Sequence, residues 1–160
     1  MTFRIIEMVN GQTNLTFGHG TQDRFDHIGI LLRETEYKRI VENAEALNWK
    51  VSEGERRTFI STPWRFRIEL QIRTEVVSDQ NHTQIKAMEM DLPFQENPES
   101  IARLLGLTIV EQDEEKVEMG NKDWKLVFCN KNNSCLSSVY FTKCNIHAID
   151  PVGTKLVGEG

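Results

Sequence analysis

The sequence predicts an α+β protein made of two βαβββ modules, and three observations lead there. First, two apolar-alternating segments, FDHIGILL over 25–32 and FRIELQIR over 66–73, flank a stretch of helical periodicity. Second, the same order of strand, helix and three short strands recurs between 84 and 130. Third, 160 residues with 39% hydrophobic content suffice for one compact unit, or for two small modules that share a core.

The elements follow in order. Alternation in FDHIGILL puts Ile28, Ile30 and Leu32 on one face and Phe25, His27, Gly29 and Leu31 on the other. Tyr37, Ile40, Val41, Ala44 and Leu47 then recur at helical spacing among charged residues, with Thr35 as the expected N-cap and Asn48 as the stop. Short strands are expected at 49–51 and 57–61, punctuated by Gly54 and Pro63. In FRIELQIR, Phe66, Ile68, Leu70 and Ile72 form the apolar face and leave Arg67, Glu69, Gln71 and Arg73 opposite. These elements make a first module over 24–73.

The second module, 84–130, has the clearer helix start. Asn97 caps, Pro98 opens the first turn, Glu99 suits the positive helix end, and Gly106 stops the helix after Ile101, Leu104 and Leu105. A strand is expected upstream at 85–92, and others downstream at 108–110, 116–119 and 124–129. Both termini carry surplus strands: 3–8 and 14–17 flank the hairpin turn Asn10-Gly11, and 136–144 is rich in β-formers.

The chemistry concentrates on the first module. His27 and Glu69 project from matching faces of two strands, where an imidazole and a carboxylate can share a divalent metal or flank a small polar ligand. The plainer readings are a satisfied half-buried histidine, and a cross-strand ion pair between Glu69 and an arginine.

The DHIGI strand, the helix ending in LNW and the TPWRFRIELQ strand resemble the vicinal oxygen chelate superfamily, the glyoxalase, bleomycin-resistance and extradiol-dioxygenase group. The resemblance covers roughly 24–130 and implies one domain over 1–160 with a curved mixed sheet around a central cavity. It also implies metal ligands on the first and fourth strands of each module, which are His27 and Glu69 in the first. Counting back eight residues from the helix caps maps His27 onto Glu89, and laying WKLVFC on FRIELQ puts Val127 where an acid is expected. The implied metal set is therefore His27, Glu69 and Glu89 around one divalent manganese, iron, nickel or zinc ion. With such an ion, Glu69 acts as the base of a lyase, isomerase or epimerase.

Val127 tilts the expectation toward binding without catalysis, as in the drug-sequestering members of the group, with Trp64, Arg65, Arg67 and Arg73 contacting the small molecule. A non-catalytic regulatory or interaction module is the third reading. The resemblance further implies a homodimer completed across a two-fold axis.

Composition narrows the rest. A net charge of -5 gives no global attraction for nucleic acid, and neither a membrane span nor a signal peptide is apparent, so a cytoplasmic protein is expected. Cys129, Cys135 and Cys144 lack metal-type spacing and are odd in number, so neither a disulfide framework nor a zinc knuckle is indicated. His19, His82 and His147 fall in loops or surplus segments, although His147 reaches the cavity if the last strand folds back. The acidic run EQDEEKVE over 111–118 reads as a solvated turn, and no nucleophile elbow, Walker loop or dinucleotide motif occurs.

Overall fold

A computed structural model describes residues 5–10, 13–18, 21–22, 24–77 and 83–159. The first module comprises β3 (His27–Leu31), α1 (Glu34–Ala46), β4 (Val51–Glu53), β5 (Thr58–Ser61) and β6 (Arg67–Gln71). The second comprises β7 (Gln84–Leu92), α2 (Glu99–Leu105), β8 (Thr108–Gln112), β9 (Lys116–Gly120) and β10 (Lys125–Asn130). In each module the fourth strand returns beside the first and parallel to it, giving β3-β6-β5-β4 and β7-β10-β9-β8. The architecture is the α+β arrangement of paired βαβββ units in mixed sheets.

Additional strands precede and follow the modules. β1 (Ile5–Asn10) and β2 (Thr13–Gly18) pair antiparallel as a separate ribbon, and the turn at 11–12 between them lies outside the described residues, as do His19 and His82. β11 (Cys135–Thr142) lies antiparallel along the free edge of β7, and β13 (Lys155–Glu159) and the edge strand β12 (Ile146–Ile149) extend that sheet to seven strands. The β12–β13 hairpin was not expected. Its signal is Asp150, whose Oδ1 accepts the Val152 and Thr154 backbone N–H groups at 2.9 and 2.8 Å and closes an Asx turn between two apolar segments. His147 sits exposed on this edge strand.

The helix boundaries follow local chemistry. α1 begins earlier than Thr35 because the Glu36 carboxylate accepts the Arg33 backbone N–H at 3.0 Å and pairs with the Arg33 side chain, satisfying a free amide of the first turn. Asn48, with φ 56°, ends it in the left-handed conformation. At α2, the Asn97 side chain accepts the Glu99 N–H at 2.9 Å, and Gly106, with φ 70°, terminates the helix.

One core serves both modules. Ile28, Ile60, Ile68 and Leu70 of the first sheet and Met90, Val117, Met119, Leu126 and Phe128 of the second belong to a single buried cluster with Ile40 and Ala44 of α1 and Leu104 of α2. Asn43 of α1 links the helices directly by donating to the Arg103 and Leu104 carbonyls at 3.1 and 3.0 Å, near the open end of α2. Asn43→Ala should therefore cost about 1–2 kcal/mol in urea denaturation. An unchanged midpoint would show that water replaces these bonds without loss. Among the described residues, no helix is long and apolar enough to cross a membrane.

Candidate functional site

The parallel pairing of β3 with β6 aligns His27 with Arg67 and Gly29 with Glu69. Because Ile28 and Ile68 point into the core, His27 and Glu69 share the opposite face of the sheet. There the His27 Nε2 lies 3.1 Å from Glu69 Oε2, and its Nδ1 lies 2.8 Å from Asp26 Oδ2. Arg67 donates to the same Asp26 oxygen. Arg57 stands 3.6 Å from Glu69 Oε1, to which Gln71 also donates at 3.5 Å. Phe59 of β5 meets the His27 ring edge-on with centroids 5.4 Å apart, and the Arg67 guanidinium lies 4.2 Å over the Phe59 ring.

This is a charge-balanced cluster with a wet rim. The His27 side chain is 24% exposed and that of Glu69 11%, whereas Arg57 and Arg67 reach 50% and 40%. The hydrogen bond to Glu69, helped by Asp26 and opposed by burial, raises the His27 pKa above its ordinary 6.5. Burial pushes the Asp26 carboxyl up, but hydrogen bonds from His27 and Arg67 outweigh it and hold the group below its ordinary value. The hydrogen bond from His27 likewise lowers Glu69 against its burial, with the charge of Arg57 assisting. Two carboxylates facing the two ring nitrogens thus favour the protonated imidazole, in which both nitrogens donate.

The sequence-predicted residues distribute unevenly. His27, Glu69, Arg67 and Arg73 come together; Arg73 donates to Gln71 Oε1 through its backbone N–H at 3.0 Å and its Nε at 3.1 Å. Trp64 does not line this face. It is 3% exposed in the core, packs at 87° against Trp49, and donates from Nε1 to the Pro93 carbonyl at 3.0 Å, because the turn before β6 folds the indole inward. Arg65 is the exposed left-handed residue of that turn, with φ 68°. Asp26, Arg57 and Phe59 were missed. Asp26 precedes the strand and so escapes alternation, while the faces of the Phe59 strand had no anchor in the sequence.

Glu89 lies in the second sheet, in register with Val127, and its Oε1 is 3.7 Å from the Cys129 thiol. The pairing of β7 with β10 also revises the internal alignment. His27 is opposite Arg67 and reaches Glu69 two positions on; Glu89 is opposite Val127 and meets Cys129 two positions on. With Glu89 set on His27, the counterpart of Glu69 is therefore Cys129, not Val127. Burial pushes the Cys129 thiol up, and the charge of Glu89 adds to the effect.

The donor set is short for a resident metal. Two cis ligands of one ion stand roughly 3 Å apart, as His27 Nε2 and Glu69 Oε2 do, and Asp26 on Nδ1 is the usual outer partner of a metal-bound imidazole. Yet among the described residues no three His, Cys, Asp or Glu side chains converge as a metal-holding group, so Glu89 does not join the pair. The histidine and carboxylate fit half of such a site, and among the described residues no third protein donor completes it.

No family model and no curated protein matches the sequence. Solved structures do match. The Mn(II)-bound glyoxalase from Novosphingobium aromaticivorans aligns at 11% identity with a TM-score of 0.68, covering 89% of this chain and 65% of that one. An extradiol ring-cleaving dioxygenase from B.fuscum aligns at 12% identity with a TM-score of 0.74, covering 99% and 62%. The homoprotocatechuate 2,3-dioxygenase from Arthrobacter globiformis aligns at 10% identity with a TM-score of 0.72, covering 99% and 70%. The chain spans about 62 to 65% of the length of the first two. Paired βαβββ modules, each with its fourth strand returned beside its first, together with these alignments give the chain the fold of the vicinal oxygen chelate proteins.

Proposed function

We propose that the protein binds a small organic acid or phosphate on the His27–Glu69 face of the first module. The observation that carries this reading is the arrangement around Phe59, where Arg67 stacks on the ring and remains 40% exposed beside His27 and Arg57. Guanidinium forks suit carboxylate and phosphate groups, and the ring supplies an apolar wall next to them. Arg73 and Arg65 are further cations for the ligand's edge. The cluster is internally satisfied: each His27 ring nitrogen faces a carboxylate, and Glu69 is also paired with Arg57. Sequestration without turnover follows most simply from such a self-satisfied site.

The test is a thermal-shift screen of aromatic and aliphatic carboxylates and phosphates against the parent and Arg67→Gln. A ligand that stabilises the parent and loses at least about tenfold in affinity in Arg67→Gln supports the reading. Equal affinities in the two proteins would refute it.

A second reading is a divalent-metal-dependent lyase or isomerase using His27 and Glu69, favoured by their 3.1 Å separation and by the Asp26 contact to Nδ1. Bound metal would displace the Nε2 proton, so affinity should rise steeply with pH. Metal content measured after incubation with manganese, iron, nickel or zinc, and its loss in folded His27→Ala, decides this reading. A metal-free parent removes it.

A further inference from the structure

The module repeat leaves one junction closed and its counterpart open. Trp64 precedes β6 as Trp124 precedes β10, each three positions before the residue paired with His27 or Glu89. Counting along the partner strands by the same register, Pro93 in the second module corresponds to Leu31 in the first. At the first junction Trp64 is buried and its indole N–H bonds the Pro93 carbonyl at 3.0 Å. At the other, Trp124 and Leu31 instead line a groove of ≈ 320 Å³.

The groove has a distinct chemistry. Leu31 is 39% exposed, and the apolar walls are completed by Ile30 of β3 and by Leu105 and Leu107 at the end of α2. Arg39 of α1 and Asn121 stand at its polar side. Among the described residues Arg39 makes no ion pair; its guanidinium has a 3.4 Å contact to the Leu105 carbonyl and lies against Gly106. The Asn121 side-chain oxygen is used by the Asp123 and Trp124 amides at 2.8 and 3.1 Å, which leaves its NH₂ free to donate. The Trp124 indole N–H likewise has no hydrogen-bond partner among the described residues. The lining carboxylate, Glu36, is engaged by Arg33. The groove therefore offers donors with spare capacity, one of them the cationic Arg39 between Glu36 and the Leu105 carbonyl, beside apolar side chains.

We infer that this groove is a second ligand site, separate from the His27–Glu69 face, for a small monocarboxylate with a branched or aromatic apolar body. The carboxylate meets Arg39 and the Trp124 and Asn121 donors, and the body takes the volume that the Trp64 junction fills with its own side chain.

Calorimetric titration of the full chain with benzoate and with 4-methylpentanoate, beside benzamide and 4-methylpentanamide, tests the assignment. Expected is saturable one-site binding of a carboxylate, accompanied by a change in tryptophan emission, with the amide at least tenfold weaker. Arg39→Met should weaken the carboxylate at least tenfold with an unchanged circular dichroism spectrum, and Leu31→Phe, which enlarges a lining side chain and leaves Arg39 in place, should do the same. Arg67→Gln should leave it unaltered. No heat up to about 10 mM ligand, equal binding of acid and amide, or undiminished binding in both groove variants would overturn the inference. Loss of binding in Arg67→Gln would also overturn it, by moving the ligand to the first site.

Discussion

Replacing His27 by glutamine is expected to destabilise the protein by about 1–3 kcal/mol near pH 6 and by progressively less as the pH rises toward 9. The His27 ring bridges Asp26 and Glu69, so its removal leaves a partly exposed and a buried carboxylate to Arg67, Arg57 and Gln71. The pH dependence follows from proton linkage. His27 has a raised pKa in the folded protein, so its contribution is full below its ordinary value of 6.5 and is lost as the pH climbs through the folded value. Asp26 and Glu69 are lowered, so theirs is full above their ordinary 3.8 and 4.5 and is lost as the pH falls through the folded values. The cluster therefore stabilises most between about 4.5 and 6.5. Urea denaturation of the parent and His27→Gln from about pH 5 to pH 9 reads the effect. A difference between them that stays flat or grows above pH 7 would mean that His27 is neutral in the folded state.

That bridge shows what the sequence could and could not disclose. Strict alternation in HIGIL and RIELQ placed His27 and Glu69 on one face, because a strand with a buried side fixes its register by period alone. Helix α2 and its ends were legible for the same local reason, with Asn97 and Gly106 acting within a turn of their own positions. What failed depends on distance through space. Counting from helix caps assumes equal loops, but α1 starts shortly after β3, whereas 93–98 intervene between β7 and α2. Glu89 and Val127 could therefore not both be matched to the first module's pair, and the ladder between β7 and β10 shows that Cys129 takes the Glu69 place once Glu89 is set on His27. Trp64 looked like a ligand wall because arginines surround it. Its burial is decided by the second module, through Pro93, which no local pattern reveals.

Phe128→Ala should be the most damaging single substitution in the second module, costing about 3–5 kcal/mol. Phe128 is fully buried at the centre of β10, in register with Met90 on one side and Val117 on the other, so truncation opens a void that two neighbouring strands cannot close without breaking their ladders. The consequence should reach the first module as well. Buried residues of both sheets and both helices form one cluster, Asn43 ties α1 to α2, and Trp64 is bonded across to Pro93. In a Trp124→Phe background the remaining tryptophans, Trp49 and Trp64, both belong to the first module, and their fluorescence reports its packing together with the Trp64–Pro93 junction. If the modules unfold as a unit, Phe128→Ala moves the fluorescence midpoint and the circular dichroism midpoint together. A fluorescence midpoint that stays put while the circular dichroism signal splits would mean that each βαβββ unit is stable alone. The shared core would then be a contact between two domains, and the His27–Glu69 cluster would depend only on the first.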